Sequence, residues 1–186
     1  MFVSDIIVSA MRYLGMDKEA DAVDDGSYSE DENLKREVGA LVHCYNAVED
    51  ELARAYFPLE YEEELPVSVG TVYYSVFAHS PIKILSVTSE GKALKYTLKP
   101  RYMEVDAKTI TVKYTYLPLK KQLNHTSDYT GYPVSERLMA YGVAAEYSLI
   151  CGDIEASECW EGRYTQELAR LRPITKGGQI PARGWV

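Results

Sequence analysis

The chain has 186 residues, of which 46% are hydrophobic and 26% are charged, and its formal net charge is −8. This size and composition are typical of one globular domain with a sizeable core. No apolar run approaches the roughly 20 residues that a membrane-spanning helix needs, so we expect no membrane segment. The N-terminus lacks the basic start of a secretory leader, so we do not expect a leader either. The acidic balance argues against tight binding to a phosphate backbone.

The N-terminal residues predict an amphipathic helix followed by an acidic linker. Apolar side chains fall on one face over residues 4–14, where Ser4 can act as the N-cap and Gly15 as the stop. Residues 17–32 are rich in Asp and Glu and are expected to be the linker.

A second, longer helix is expected over residues 30–56. Ser29 and Glu32 have the spacing of a capping box, which would open this helix, and Pro58 closes it. Its apolar residues recur at helical spacing and form one stripe.

Residues 66–118 change to β-branched and aromatic residues in short runs, which is typical of strands. In the last run, 109–116, apolar and polar side chains alternate, so one face is buried and the other is solvated. An antiparallel meander of four or five strands is therefore expected, with runs at 71–78, 81–88, 92–98, 102–105 and 109–116.

The C-terminal third predicts two more helices, over 135–151 and 154–171, followed by an extended tail over 174–186. The first of them is apolar on nearly every side and should be central. The expected fold class is α+β: a bundle of about four helices with an inserted antiparallel β meander, forming a single domain over residues 1–173.

Residues 21–32 could be aligned with a calcium-binding EF-hand loop, since Asp21, Asp25, Gly26 and Glu32 match its pattern. Val23, however, occupies a position that needs an oxygen ligand. Because Glu32 is also accounted for by the capping box, a solvated acidic linker is favoured.

The other residues that could be catalytic or bind metal are better explained by structural roles. Glu60 and Glu62–Glu64 could form a carboxylate cluster but are expected on a solvated loop. The cysteines contain no C-x-x-C pair, and neither they nor the histidines have metal-ligand spacing. We therefore expect no enzymatic activity, no cofactor and no metal. The residues considered are Cys44, Cys151, Cys159, His43, His79 and His125.

Charge and tyrosine content point to protein interfaces. Residues 1–65 carry a net charge of −12, from 17 acids and 5 bases, and residues 66–134 carry +5, from 9 bases and 4 acids. This asymmetry serves either solubility or contacts between acidic and basic faces of neighbouring copies. The 16 tyrosines favour a protein interface over single-stranded nucleic acid, because the chain is acidic.

Several phrases of the sequence resemble one family. The long helix ends in A-Y-F-P at 55–58, the middle contains S-P-I-K-I at 80–84, and the last strand reads V-K-Y-T-Y-L-P at 112–118. The helix pair carries A-A-E-Y-S-L-I-C-G-D at 144–153 and E-C-W-E-G-R-Y at 158–164. In order and local phrasing, the chain resembles the head–tail connector (adaptor) proteins of tailed bacteriophages, including the tail tubular ring protein of short-tailed phages.

This resemblance implies a structural virion protein without catalytic residues. It implies a ring, commonly of twelve copies, that docks on the portal protein at the neck between capsid and tail. Such a ring receives a downstream tail or neck protein and extends the channel through which genome DNA passes without specific binding. Assembly would take place in the host bacterial cytoplasm. The alternatives are another neck protein, such as a tail terminator or head-completion factor, and a small ligand-binding module or enzyme.

The resemblance also implies that the C-terminal segment reaches toward the portal. Apolar residues and Arg183 cluster at its end, and Trp and Arg are frequent anchors at interfaces. The alternative is that the tryptophan folds back onto its own domain. The expected portal-docking residues are Ile180, Pro181, Arg183, Trp185 and Val186.

Overall fold

The computed structural model describes residues 1–171, and the predicted tail at 174–186 lies outside the described residues. The expected α+β class, with antiparallel strands inserted between helices, is confirmed. The helices are α1 (Val3–Tyr13), α2 (Asp17–Asp24), α3 (Glu32–Glu51, with a π-helical turn at Leu52–Tyr56), α4 (Glu136–Ile150) and α5 (Ile154–Leu171). The strands are β1 (Leu59–Pro66), β2 (Thr71–Tyr73), β3 (Pro81–Ser89), β4 (Lys92–Ala93), β5 (Tyr96–Leu98), β6 (Tyr102–Val105) and β7 (Thr109–Tyr116), with 3-10 turns at Ser27–Glu30 and Tyr74–Val76.

Helix α4 is the centre of the helical layer and packs against α1, α3 and α5. Gly142 allows this close approach, because a Cβ there would lie 2.9 Å from Val48 Cγ1 and 3.1 Å from Tyr164 Cε2. The predicted burial of α4 is correct along most of the helix. It is wrong at the C-terminal end, where Leu149 and Ile150 are exposed.

Two predictions about the N-terminal helix had different outcomes. Gly15 follows α1 with a φ of 76°, which confirms it as the stop. Ser4 lies inside the helix and is not the cap; Phe2 occupies the cap position, and its backbone N–H donates to the Asp5 carboxylate (3.2 Å).

The prediction of an acidic linker is wrong for residues 17–24, which form α2. Ala20 and Val23 are buried in the core that α1 and α3 share, and this packing stabilises a short helix despite its acidic residues.

The Ser29–Glu32 capping box is also wrong. The carboxylate of Asp31 caps α3 by accepting from the backbone N–H of Asn33 (2.8 Å) and Leu34 (3.3 Å). The Ser29 hydroxyl instead donates to the Gly26 carbonyl within the preceding 3-10 turn.

The strands divide between two antiparallel sheets, with orders β1-β7-β3-β4 and β2-β6-β5. Strand β1 was expected to be a solvated loop; it contains four glutamates, and glutamate is a poor strand former. Its pairing with β7 along all eight residues overrides that preference, and Glu60 forms an ion pair with Lys113 (2.6 Å). The predicted strand 92–98 divides into β4 and β5, which belong to different sheets, and the predicted strand 71–78 ends at residue 73.

The described residues contain two hydrophobic cores. The larger lies among the helices, and the smaller lies between the two sheets. Tyr116, at the end of β7, packs against both cores, and the His79 ring stacks on it at 4.2 Å between centroids. Tyr116 therefore joins the sheets to the helical layer.

Polar side chains of α3 hold the long loop between β7 and α4. The side-chain amide of Asn46 accepts from the Lys121 backbone N–H (2.6 Å) and donates to the Lys121 carbonyl (3.0 Å). One turn later, Glu49 Oε1 accepts from the Ser127 hydroxyl and the Asp128 backbone N–H, both at 3.0 Å. These bonds fix the loop where no regular structure does.

The start of the chain is tied to the same loop. The backbone N–H groups of Val3 and Ser4 donate to the carbonyls of His125 and Leu123, each at 3.0 Å. Helix α1, α3 and the loop thus form one hydrogen-bonded unit.

The packing at Gly142 generates a prediction. Gly142→Ala should lower the free energy of unfolding by about 1–3 kcal/mol, because the branched Val48 side chain and the Tyr164 ring leave no room for a methyl group. The matched control is Gly39→Ala on α3, where a Cβ meets nothing within 4 Å; this change should raise stability by up to about 1 kcal/mol. Urea unfolding followed by circular dichroism measures both. Equal effects of the two substitutions would contradict the close approach.

Candidate interaction surfaces

The most site-like ionisable group is a buried carboxylate. Glu49 is 1% exposed, and its Oε1 also accepts from the Tyr45 hydroxyl (2.7 Å). Its Oε2 has no hydrogen-bond partner among the described residues. Burial raises the pKa of Glu49 above its ordinary value of 4.5, although its three donors act in the opposite direction. With the side chain closed off from solvent, its contacts serve to hold the loop.

The residues aligned with a calcium loop do not form a loop. Asp21 lies within helix α2 beside Arg12 (3.6 Å), and Val23 is buried. Hydrogen bonds from the Ser27 hydroxyl and from its backbone N–H (2.8 Å) lower the pKa of Asp25. Among residues 1–171, no three His, Cys, Asp or Glu side chains are placed to hold a metal ion.

The glutamate run lies on β1 and has structural partners. Glu63 accepts from the Tyr114 hydroxyl (2.5 Å) and from the Ala78 backbone N–H (3.0 Å). Glu60 pairs with Lys113, and Asp50 on α3 pairs with Lys120 (2.8 Å). Part of the acidic first third of the chain is therefore neutralised by the basic middle third within one copy.

The histidines and cysteines are dispersed. His43 is exposed, whereas the neighbouring Cys44 is buried. His125 Nδ1 accepts from the Gln122 backbone N–H (3.1 Å). His79 is enclosed between Tyr61 and Tyr116. His43 and Cys44 are adjacent in sequence, but one is exposed and the other buried, so they lie on different faces of α3 and do not form a Cys–His pair.

An apolar groove of about 410 Å³ lies between strand β3 and the small sheet. Strand β3 has register shifts at Ile82 and Leu85 in its pairing with β7. Bulges of this kind turn side chains away from the regular alternation, and Ile82 is 40% exposed. Leu98, on β5, is 53% exposed. The residues lining the groove, here called the β groove, are Tyr74, Pro81, Ile82, Lys83, Ile84 and Leu98.

A second apolar surface is the turn between α4 and α5. Leu149, Ile150 and Ile154 are 52%, 58% and 54% exposed, and Cys151 between them is exposed too. Gly152 takes a φ of 80° and allows the tight reversal. We call these four side chains the helix-turn tip. Exposed apolar clusters on a domain commonly mark contact sites.

The two surfaces lie toward different ends of the molecule. Val48 on α3 meets Gly142 on α4. One turn earlier on α3, burial raises the pKa of Cys44, and the nearby Glu146 and Cys151 raise it further. Helices α3 and α4 therefore run antiparallel, and the helix-turn tip lies beside the first half of α3. The sheets follow the C-terminal end of α3. The β groove is thus at the other end of the helical layer.

The surroundings of the two surfaces have opposite charge. Residues 138–162, which contain the helix-turn tip, include five acids and no Lys or Arg. Residues 74–101, which contain the β groove, include five Lys or Arg and one acid, and one of these bases, Lys99, is paired with Glu104 (3.7 Å). Lys83 lines the groove itself, and Glu155 is exposed beside Ile154.

The sequence interpretation missed both surfaces. Leu149 and Ile150 were expected to be buried, because the helix is apolar on nearly every side and was expected to be central. A usable signal was the density of apolar residues at a glycine turn, where polar residues are usual. In β3 the signal was Ile84 followed directly by Leu85, which breaks the alternation of a regular strand.

The predicted portal-docking residues Ile180, Pro181, Arg183, Trp185 and Val186 lie beyond residue 171, outside the described residues. No helix within residues 1–171 is long and apolar enough to span a membrane.

No protein-family model matches the sequence, and no curated protein matches it significantly.

The buried carboxylate generates a prediction about pH. Because the pKa of Glu49 is raised on folding, the folded chain keeps that proton to higher pH than the unfolded chain does. The contribution of Glu49 to stability should therefore fall as pH rises from about 4.5 through the raised value. Glu49→Gln removes this titration and keeps an acceptor oxygen. The stability of Glu49→Gln relative to wild type should increase between about pH 5 and about pH 8 in urea unfolding.

Glu64→Gln, at an exposed position on β1, controls for the loss of one negative charge. If the stability of Glu49→Gln relative to wild type, corrected by the control, stays constant or falls over this pH range, the raised pKa of Glu49 is contradicted.

Proposed function

We propose that this chain is a structural virion protein that forms a ring at the neck of a tailed bacteriophage. The ring docks on the portal protein, receives a downstream tail or neck protein and extends the DNA channel. The observation that carries the proposal is the presence of two different exposed apolar surfaces, the helix-turn tip and the β groove, toward different ends of the described molecule. The family resemblance of the sequence adds the place and the partners.

Two unlike contact surfaces favour one kind of assembly. A two-fold dimer uses one surface twice, whereas head-to-tail contacts use two surfaces and produce a closed ring or a filament. Copies that expose apolar side chains at separate places can bury both in such a contact. Twelve copies is the number that the resemblance implies.

The charge of the chain suits a channel for DNA. With a net charge of −8, the ring would carry a large negative total, and a negative wall repels phosphates. Genome DNA would then pass without being held. The basic residues around the β groove are consistent with this role if they face neighbouring copies instead of the channel.

The C-terminal residues are the proposed portal contact. They follow α5 in the chain and combine Ile180, Trp185 and Val186 with Arg183. Trp and Arg are the side chains that most often dominate interface energies, because they bury a large area and also form directed bonds.

Self-association is the first test. The full-length protein should form a single closed oligomer, alone or with its portal protein, at high concentration and low salt. Sedimentation velocity should show the oligomer dissociating as salt increases, because charged surfaces meet. A protein that remains monomeric under these conditions, even with the portal present, contradicts the ring.

Removal of residues 174–186 is the second test. The truncated protein should melt at nearly the same temperature but lose binding to the portal protein, measured by calorimetry. Trp185→Ala alone should cost about 2 kcal/mol or more of binding, and Thr175→Ala in the same segment is the control. A truncation that lowers the melting temperature while portal binding survives would assign the tail to the core of its own copy.

A further inference from the structure

We propose that neighbouring copies contact each other by the helix-turn tip of one copy seating in the β groove of the next. This contact rests on the proposed ring and identifies its two faces. The occupant of the groove is thus a second copy of this chain.

The apolar parts of the two surfaces are complementary in form. The helix-turn tip is convex, because Leu149, Ile150 and Ile154 project from a reversal between two helices. The β groove is concave and is lined mainly by Ile, Leu, Pro and Tyr side chains. Each surface is left in water in a single copy, so seating one in the other removes apolar area from both.

The charges select this pairing over others. The tip lies in a sequence segment with a net charge of −5, and the groove lies in one with a net charge of +4. Lys99 of the basic segment is already paired with Glu104, and Lys83 is the base that lines the groove. Tip against tip would oppose acids, and groove against groove would oppose bases, which is costly across an interface. Only the unlike pairing brings Glu155 toward Lys83. A two-fold contact through either surface is therefore disfavoured.

Lys83 is available for this role. None of the ion pairs found among residues 1–171 includes Lys83 or Glu155. Charges that are exposed and unmatched within one copy can be neutralised by a neighbour without breaking an existing pair.

Disulfide cross-linking tests the contact directly, because Cys151 is already in the tip. In a full-length Cys159→Ser background, Ile82→Cys places a thiol in the β groove. Under a mild oxidant, the protein should form a ladder of covalent oligomers on non-reducing gels. The ladder should disappear when Cys151→Ser is added.

The control for this experiment is Leu119→Cys, at a loop position that is 67% exposed and outside both surfaces. It should give no ladder. A ladder of equal strength from Leu119→Cys, or one that survives Cys151→Ser, would overturn the proposal. If sedimentation shows rings but Ile82→Cys does not cross-link, the tip-in-groove contact is wrong, whereas the proposed ring function is unaffected. If the groove thiol is protected from oxidation only when residues 174–186 are present, the C-terminal tail occupies the groove. This result would also overturn the proposal.

Charge reversal gives an independent readout. Lys83→Glu and Glu155→Lys should each raise the dissociation constant of the assembly by about tenfold or more, and the double variant should recover most of the affinity. Lys108→Glu changes the net charge equally at an exposed position outside the groove and should have little effect. Equal weakening by all three single variants, or no recovery in the double variant, would overturn the tip-in-groove contact.

Discussion

The buried carboxylate of Glu49 is the contact on which the arrangement of this molecule depends. It joins Tyr45 on its own helix to Ser127 and Asp128 in the loop between the last strand and α4. Without it, three donors would lose their acceptor, and the cost for each of the two buried hydroxyls is about 1–3 kcal/mol. The carboxylate is costly to bury, and these donors offset that cost only in part, because the pKa of Glu49 remains raised. The loop therefore has a single position relative to α3.

That position fixes the rest of the fold. The loop connects the end of β7, where Tyr116 contacts both cores, to the start of α4. Once α4 lies antiparallel to α3, its C-terminal turn is directed away from the sheets. The helix-turn tip and the β groove are then held at a distance by packed helices instead of by a flexible connection. A head-to-tail ring needs this property, because the angle between two faces determines whether the ring closes.

The sequence predicted the features that local chemistry determines. Periodicity predicted four of the five described helices, and alternation predicted the strand at 109–116. Features that depend on distant partners were not predicted. Strand β1 exists because β7 pairs with its glutamates, and α2 exists because Ala20 and Val23 reach a core built by other helices. The exposure of Leu149 was not predicted, because Ala145, one turn earlier on the same helical face, is buried and only the glycine turn that follows distinguishes the two positions.

A cryo-electron microscopy reconstruction of the full-length protein bound to its portal tests the central claim most directly, since it shows symmetry and contact together. The expected result is a closed cyclic ring in which Leu149, Ile150 and Ile154 of each copy lie against Ile82 and Leu98 of the next. A two-fold dimer, or a ring whose copies meet through other residues while both surfaces remain in water, would contradict it.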